Sequence, residues 1–126
     1  MRTSVTPELE GTFCHDESGN PVISFFGEID LATANEFEAM LSGALSKVGD
    51  SHCILVDLRG VEFMGVTGLH CLLGVRGQLR EQIPEGSLLV VCGGGIQRLI
   101  ELCELDYELT PCRDLPEAAN GCLIPA

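Results

Sequence analysis

Basic residues are scarce in this sequence. Seven Lys and Arg stand against 19 Asp and Glu, a net charge of −12 over 126 residues. A surface of that sign repels phosphate backbones, so direct DNA or RNA binding is not expected. It suits a partner with a basic face, and it also serves solubility with no partner at all. Long apolar runs are missing as well. No stretch approaches the roughly 20 residues that span a bilayer, and the leading MRTSVTPELE carries no apolar segment of the secretory type. The expected location is the cytoplasm, with no membrane contact.

Catalytic and metal-binding patterns are also absent. Neither G-x-S-x-G nor H-E-x-x-H occurs, and His15, His52 and His70 are not spaced with cysteines as zinc ligands would be. No enzymatic activity, metal or cofactor is expected. The seven cysteines include no C-x-x-C pair, and their odd number without a secretory signal argues against a disulfide framework. Cys53, Cys92 and Cys103 fall on apolar faces and read as small hydrophobes. The triple glycine 93–95 lacks the G-x-G-x-x-G spacing, because Arg98 holds the last glycine position, and reads as a tight turn. Asp57, alone in an apolar run, reads as a hydrogen-bonding strand residue.

What is present is a 45 % apolar fraction, which excludes intrinsic disorder and supports one domain over 1–126 with its core at about 8–120. The stretch from Cys53 to Arg80 organises it: a buried strand at 53–58, a loop containing Met64-Gly65-Val66-Thr67-Gly68, and a helix over about 67–82. Upstream, residues 8–15 and 21–28 flank turn formers 16–20, an antiparallel hairpin pattern. Thr33 and Glu36 form a capping-box pattern before a helix with Phe37, Met40, Leu41, Ala44, Leu45 and Val48 on one face, Lys47 in its last turn and Gly49 closing it. Downstream come a buried strand at 87–92, a helix carrying Ile96, Leu99, Ile100 and Cys103, and a short strand at 107–110. A capping box at Asp114 and Glu117 then opens a last helix, ended by Gly121. The order ββαβαβαβα implies an α/β fold, with a mostly parallel sheet and an antiparallel first hairpin.

At the central loop the residues resemble a known family. VDLRGVEFMGVTGLHCLL is similar to the signature of STAS domains, specifically bacterial anti-sigma factor antagonists, in which the stretch commonly reads V-D-L-x-x-V-x-F-[IM]-D-S-[ST]-G-L-x-x-L-L. Gly27-Glu28-Ile29-Asp30-Leu31-Ala32-Thr33-Ala34 resembles the family's G-E-[LI]-D-x-x-[TN]-A at the matching place. The resemblance implies a STAS-like fold and a protein-binding role rather than catalysis. Its partner would be an anti-sigma factor, usually a kinase of the histidine-kinase-like ATPase class, whose sigma factor is thereby freed. The protein itself is expected as a monomer or weak dimer.

The resemblance also implies a partner surface centred on Asp30, Gly65, Val66, Thr67 and Gly68. In the family, the first serine of D-S-[ST]-G is phosphorylated, and this ends the interaction. Here Gly65 holds the aspartate position and Val66 the phosphoacceptor position, and valine cannot be phosphorylated. Thr67 is the remaining loop hydroxyl. It reads as a helix N-cap, with a substitute phosphosite as the alternative. Val66 leaves two readings: an antagonist that escapes the phosphate switch, or a redox- or ligand-responsive STAS sensory or scaffold module. Cys71, Cys103 and Cys112 are the candidates for a reversible disulfide, weighed against buried inert thiols.

Overall fold

A computed structural model describes residues 9–49 and 51–122. The expected start of the first strand at residue 8 and most of the leading MRTSVTPELE lie outside the described residues. Strands β1 (Leu9–His15), β2 (Pro21–Ile29), β3 (Cys53–Met64), β4 (Ser87–Val91) and β5 (Pro111–Cys112) form one sheet in the order β1-β2-β3-β4-β5. The β1–β2 pair is antiparallel and every other pair is parallel, as the alternation of elements implies. The helices are α1 (Ala34–Leu45), α2 (Val66–Gln82), α3 (Gly94–Leu102), α4 (Asp106–Leu109) and α5 (Leu115–Gly121).

Side chains alternate across a strand, and both faces of β4 and of the first half of β3, residues 53–58, are covered, so the buried residues of these stretches are apolar apart from Asp57. Ile54, Val56, Leu58, Leu88 and Val90 point to one face, where α1 and α2 deliver Phe37, Leu41, Leu69, Leu72 and Leu79. Phe25 and Phe37 meet edge-to-face with ring centroids 4.7 Å apart. The opposite face carries a smaller cluster of Val22, Cys53, Leu55, Leu89, Val91 and Cys112, covered by Ala118 of α5.

The hairpin turn is built by Asp16. Its carboxylate accepts from the backbone N–H groups of Ser18 (2.9 Å) and Asn20 (2.8 Å) and from the Asn20 side-chain amide (3.0 Å). Partial desolvation pushes the Asp16 pKa up, but these donors outweigh it and hold the carboxyl below its ordinary value. A depressed folded-state pKa contributes stability above the unfolded pKa and loses it as pH falls through the folded one. Denaturant unfolding followed across the acidic range should therefore show a smaller acid-side loss of stability in Asp16→Asn than in the parent chain. An unchanged pH profile would remove this role.

Two elements depart from the sequence reading. The 107–110 segment is not a strand but the helical turn α4, followed by the two-residue β5, so the order is ββαβαβααβα. Half-buried Leu105 and fully buried Leu109 are four residues apart, a helical spacing. Strand β3 runs to Met64 rather than Leu58. Its continuation pairs with β2 through two irregularities, and Gly60 leaves room for the Phe26 ring, which a Cβ at that position would overlap. Pairing with β4 stops at Asp57 and Val91. There Asp57 accepts the Arg59 N–H at 3.1 Å and holds its guanidinium through two further contacts at 3.0 and 2.9 Å. Asp57 is thus the hydrogen-bonding strand residue anticipated.

The Thr33 capping box is not formed, although Thr33 occupies the N-cap of α1. Its hydroxyl donates instead to the Glu28 carbonyl (2.9 Å) and accepts from the Asp30 N–H (3.0 Å), closing the β2–α1 turn. Lys47 lies past the end of α1, and its ammonium sits 5.1 Å from the centre of the Phe13 ring. By contrast, the Asp114 cap is made, with the Glu117 N–H donating to it at 2.9 Å. Of the triple glycine read as a turn, Gly93 is the N-cap of α3, whereas Gly94 and Gly95 already belong to the helix.

Candidate functional site

Because β2 and β3 are parallel and adjacent, their C-terminal ends emerge together. Ligand and partner sites of α/β sheets gather at this edge. Ile29 pairs with Met64, and the Gly65 N–H donates to the Ile29 carbonyl at 2.9 Å. That bond places Asp30 directly beside the start of α2. The Asp30 carboxylate accepts from the Ala32 N–H (2.9 Å) and the Thr33 N–H (3.2 Å), so it shapes the turn as well as facing outward.

The tip is apolar. Leu31 is 84 % exposed, Phe63 54 % and Val66 50 %, at one end of a chain whose other large apolar side chains are mostly inside. Leu31 comes from the β2–α1 turn, Phe63 from the end of β3 and Val66 from the first position of α2. A groove of about 400 Å³ adjoins Phe63, lined further by Arg59, Glu62, Ile96 and Leu99. Sequence reasoning missed Leu31 and Phe63. The signal for Phe63 was the period-2 alternation with buried Met64, hidden because the strand was ended too early.

Thr67 is not the N-cap. Gly65 holds that position in extended backbone, no side chain caps it, and the Gly68 N–H closes a tight first turn on the Gly65 carbonyl at 3.0 Å. Gly68 is buried rather than exposed: a Cβ there would lie 2.6 Å from Met64 Cγ and 2.9 Å from Ile29 Cγ2. It therefore supports the tip from beneath. Gly65 itself is not sterically required, since a Cβ would meet the Phe63 ring no closer than 3.8 Å. Gly65→Asp is expected to raise stability by about 0.5 kcal/mol, by supplying a side-chain cap and a charge that complements the helix dipole. Chemical denaturation checks this, and a loss of stability would show the position to be constrained in a way its geometry does not reveal.

The three candidate redox cysteines are not brought together. Cys71 is buried, with its sulfur 3.7 Å from the Ala34 carbonyl, and burial followed by the Glu38 charge pushes its thiol pKa up. Cys112 is buried on the opposite face of the sheet, and its pKa is raised by burial and then by Glu117 and Asp114. Cys103 is exposed at the C-terminus of α3, so it is neither paired nor a core hydrophobe. The bond present is Cys53–Cys122, joining residues 69 apart in sequence. Cys53 is accordingly a cross-link as well as the core residue anticipated, in a pairing that the sequence reading did not include. Cys92 is the small buried hydrophobe anticipated, its pKa lifted by burial to about 11.

Comparison with known proteins fits this arrangement. The STAS domain family matches residues 15–118, from the end of β1 into α5. An anti-sigma-F factor antagonist, RsfB of Mycobacterium tuberculosis, is 30% identical over 106 residues, 84% of each chain. Among solved structures, an anti-sigma factor antagonist of Mycobacterium paratuberculosis superposes with a TM-score of 0.78 at 29% identity, covering 93% of this chain and 97% of that one. The Bacillus cell fate determinant SpoIIAA in its phosphorylated form shares the fold at a TM-score of 0.63 and 18% identity, over 90% of this chain and all of the other. No helix among the described residues is long and apolar enough to cross a membrane. With the family model matched from residue 15 to residue 118 and a relative 30% identical over 84% of each chain, this chain belongs to the STAS domain family.

Proposed function

We propose that this protein is an anti-sigma factor antagonist, which binds an anti-sigma factor in the cytoplasm through its β2–β3 tip and so releases a sigma factor. The observation that carries the reading is the exposed apolar trio Leu31, Phe63 and Val66, set around the Asp30 turn. A surface of that kind is what a protein partner would bury. The relatives named above as antagonists support it. The tip contacts are Asp30, Gly65, Val66 and Thr67, with Leu31 and Phe63 added and Gly68 shaping them from below. The role is non-enzymatic and uses no cofactor. The partner is an anti-sigma factor of the kinase or ATPase type, with a basic face that matches the −12 charge of this chain.

Phosphate does not switch this tip at position 66. In phosphorylation-controlled members, added phosphate places about −1.5 to −2 charge on the surface the partner must cover, which opposes binding. Val66 contributes burial instead, worth up to ~1.5–3 kcal/mol. The test is to add the protein to the preformed complex of sigma factor and cognate anti-sigma factor with ATP, then separate the species by gel filtration and weigh this chain intact. Free sigma factor and an unchanged mass are expected. A sigma factor that stays bound at saturating concentrations would overturn the reading, and a mass gain of one phosphate would overturn its switch-free form.

A further inference from the structure

We infer that Cys53–Cys122 is a reversible redox clasp that fastens α5 over the second face of the sheet. It works at the end of β3 opposite to the tip. Helix α5 has seven residues, too few to hold a helix without tertiary support. Its N-terminus is anchored by Asp114, and by Glu117 accepting from the Arg113 N–H. Its C-terminus is anchored by the disulfide from Cys122, the residue after Gly121, to Cys53 at the start of β3. Between these anchors lie Ala118, which is fully buried, and Gly121, where a Cβ would come within 2.7 Å of Leu89. Beneath α5 sits Cys112, a free thiol in the same apolar cluster.

The two sulfurs are unequal. Cys53 is 2 % exposed, whereas Cys122 is only partly buried. A dithiol reductant therefore attacks Cys122 Sγ. This forms a mixed disulfide on Cys122 and expels the Cys53 sulfur, which takes up a proton. The second thiol of the reductant then closes on the first, releases Cys122 as a thiol and leaves the reductant as its own disulfide. Two electrons and two protons pass to the pair. The reverse runs with a disulfide oxidant. The product Cys53 thiol has an acceptor waiting, since Asn20 Oδ1 lies 3.8 Å from its sulfur. Reduction thus removes the C-terminal anchor of α5 while leaving β3 intact. The twelve residues of β3 separate this end from the tip, a span of about 35 Å at the rise of a strand.

Buried Cys112 reports the state of the clasp. The protein is prepared with oxidised glutathione or with reduced dithiothreitol, pulsed with N-ethylmaleimide and digested for mass spectrometry, alongside amide hydrogen exchange. In the oxidised form Cys14 and Cys103 should label fast, Cys112 slowly, and Cys53 and Cys122 not at all. Reduction should raise Cys112 labelling by about tenfold and speed exchange over 115–121, as expected for local opening, with residues 64–69 unchanged. Cys122→Ser should show the open behaviour under both conditions. Thiols at Cys53 and Cys122 that stay fully modifiable after oxidation would overturn the clasp. So would Cys112 labelling and α5 exchange that ignore the redox state. Neither result bears on the tip.

Discussion

Val66→Asp is expected to weaken binding to the anti-sigma factor by at least about 100-fold, close to 2.7 kcal/mol, while leaving the fold as stable as before. Val66 occupies the first position of α2 and is half exposed, so the core does not depend on its methyl groups. A carboxylate at that position also complements the positive end of the helix dipole. In a complex the balance is opposite. The aliphatic contact is lost, and a charge must give up its water or face a partner surface selected for valine. The two effects add, and neither exists in the free protein. Titration calorimetry against the anti-sigma factor, with thermal unfolding of the free variant, separates them. A Kd within threefold of the parent would remove Val66 from the interface. Val66→Ser forms a second arm: it restores a hydroxyl at the position of the family's phosphoacceptor, so incubation with the anti-sigma factor, proposed above to be of the kinase type, and ATP should add one phosphate there and lower affinity.

The elements that could be read ahead of the structure are those whose signal is local. Helix α1 announced itself through Phe37, Leu41, Ala44 and Leu45, and β4 through an unbroken apolar run. The Asp16 turn and the Asp114 cap are contacts within four residues, and both are made. What escaped depends on distant partners. Arg59-Gly60 looks like a strand end until Phe26 is seen to lie over Gly60. Thr33 has the spacing of a capping box, but the Glu28 carbonyl and the Asp30 N–H claim its hydroxyl. The Cys53–Cys122 bond joins the start of one strand to the end of the last helix, and no local spacing encodes it.

For the site, the family motif singled out the β3–α2 junction, but motif positions do not distinguish surface from support. Gly68 and Val66 are two residues apart within one motif, yet one is buried and the other half exposed. On a helix such neighbours face in different directions. Leu31 is the most exposed of the apolar tip residues and lies in a turn with no periodicity to mark it. Its prominence emerges only when β2 and β3 are set side by side.

Gly68→Val is the complementary experiment, expected to destabilise the protein by about 3 kcal/mol, the upper part of the usual range for overpacking. The cost arises because the atoms in the way cannot swing clear. A Cβ would stand 2.6 Å from Met64 Cγ and 2.8 Å from Met64 Sδ, in a side chain pinned by the end of β3, and 2.9 Å from Ile29 Cγ2, next to the β2 backbone. Relief requires the first turn of α2 to move away from both strands, and the same strands hold Asp30 and Gly65 in place. Unfolding midpoints should fall by roughly 10 °C for a domain of this size. Gly74 and Gly77 lie on the same helix, and a Cβ at either would meet nothing within 4 Å, so they supply the control. Alanine at either should stabilise by up to about 1 kcal/mol through helix propensity alone. If Gly68→Val unfolds at the parental midpoint, α2 is free to shift against the sheet. The tip would then be an adaptable surface instead of a preset one, and the loss of binding in Val66→Asp would have to be explained without a fixed geometry.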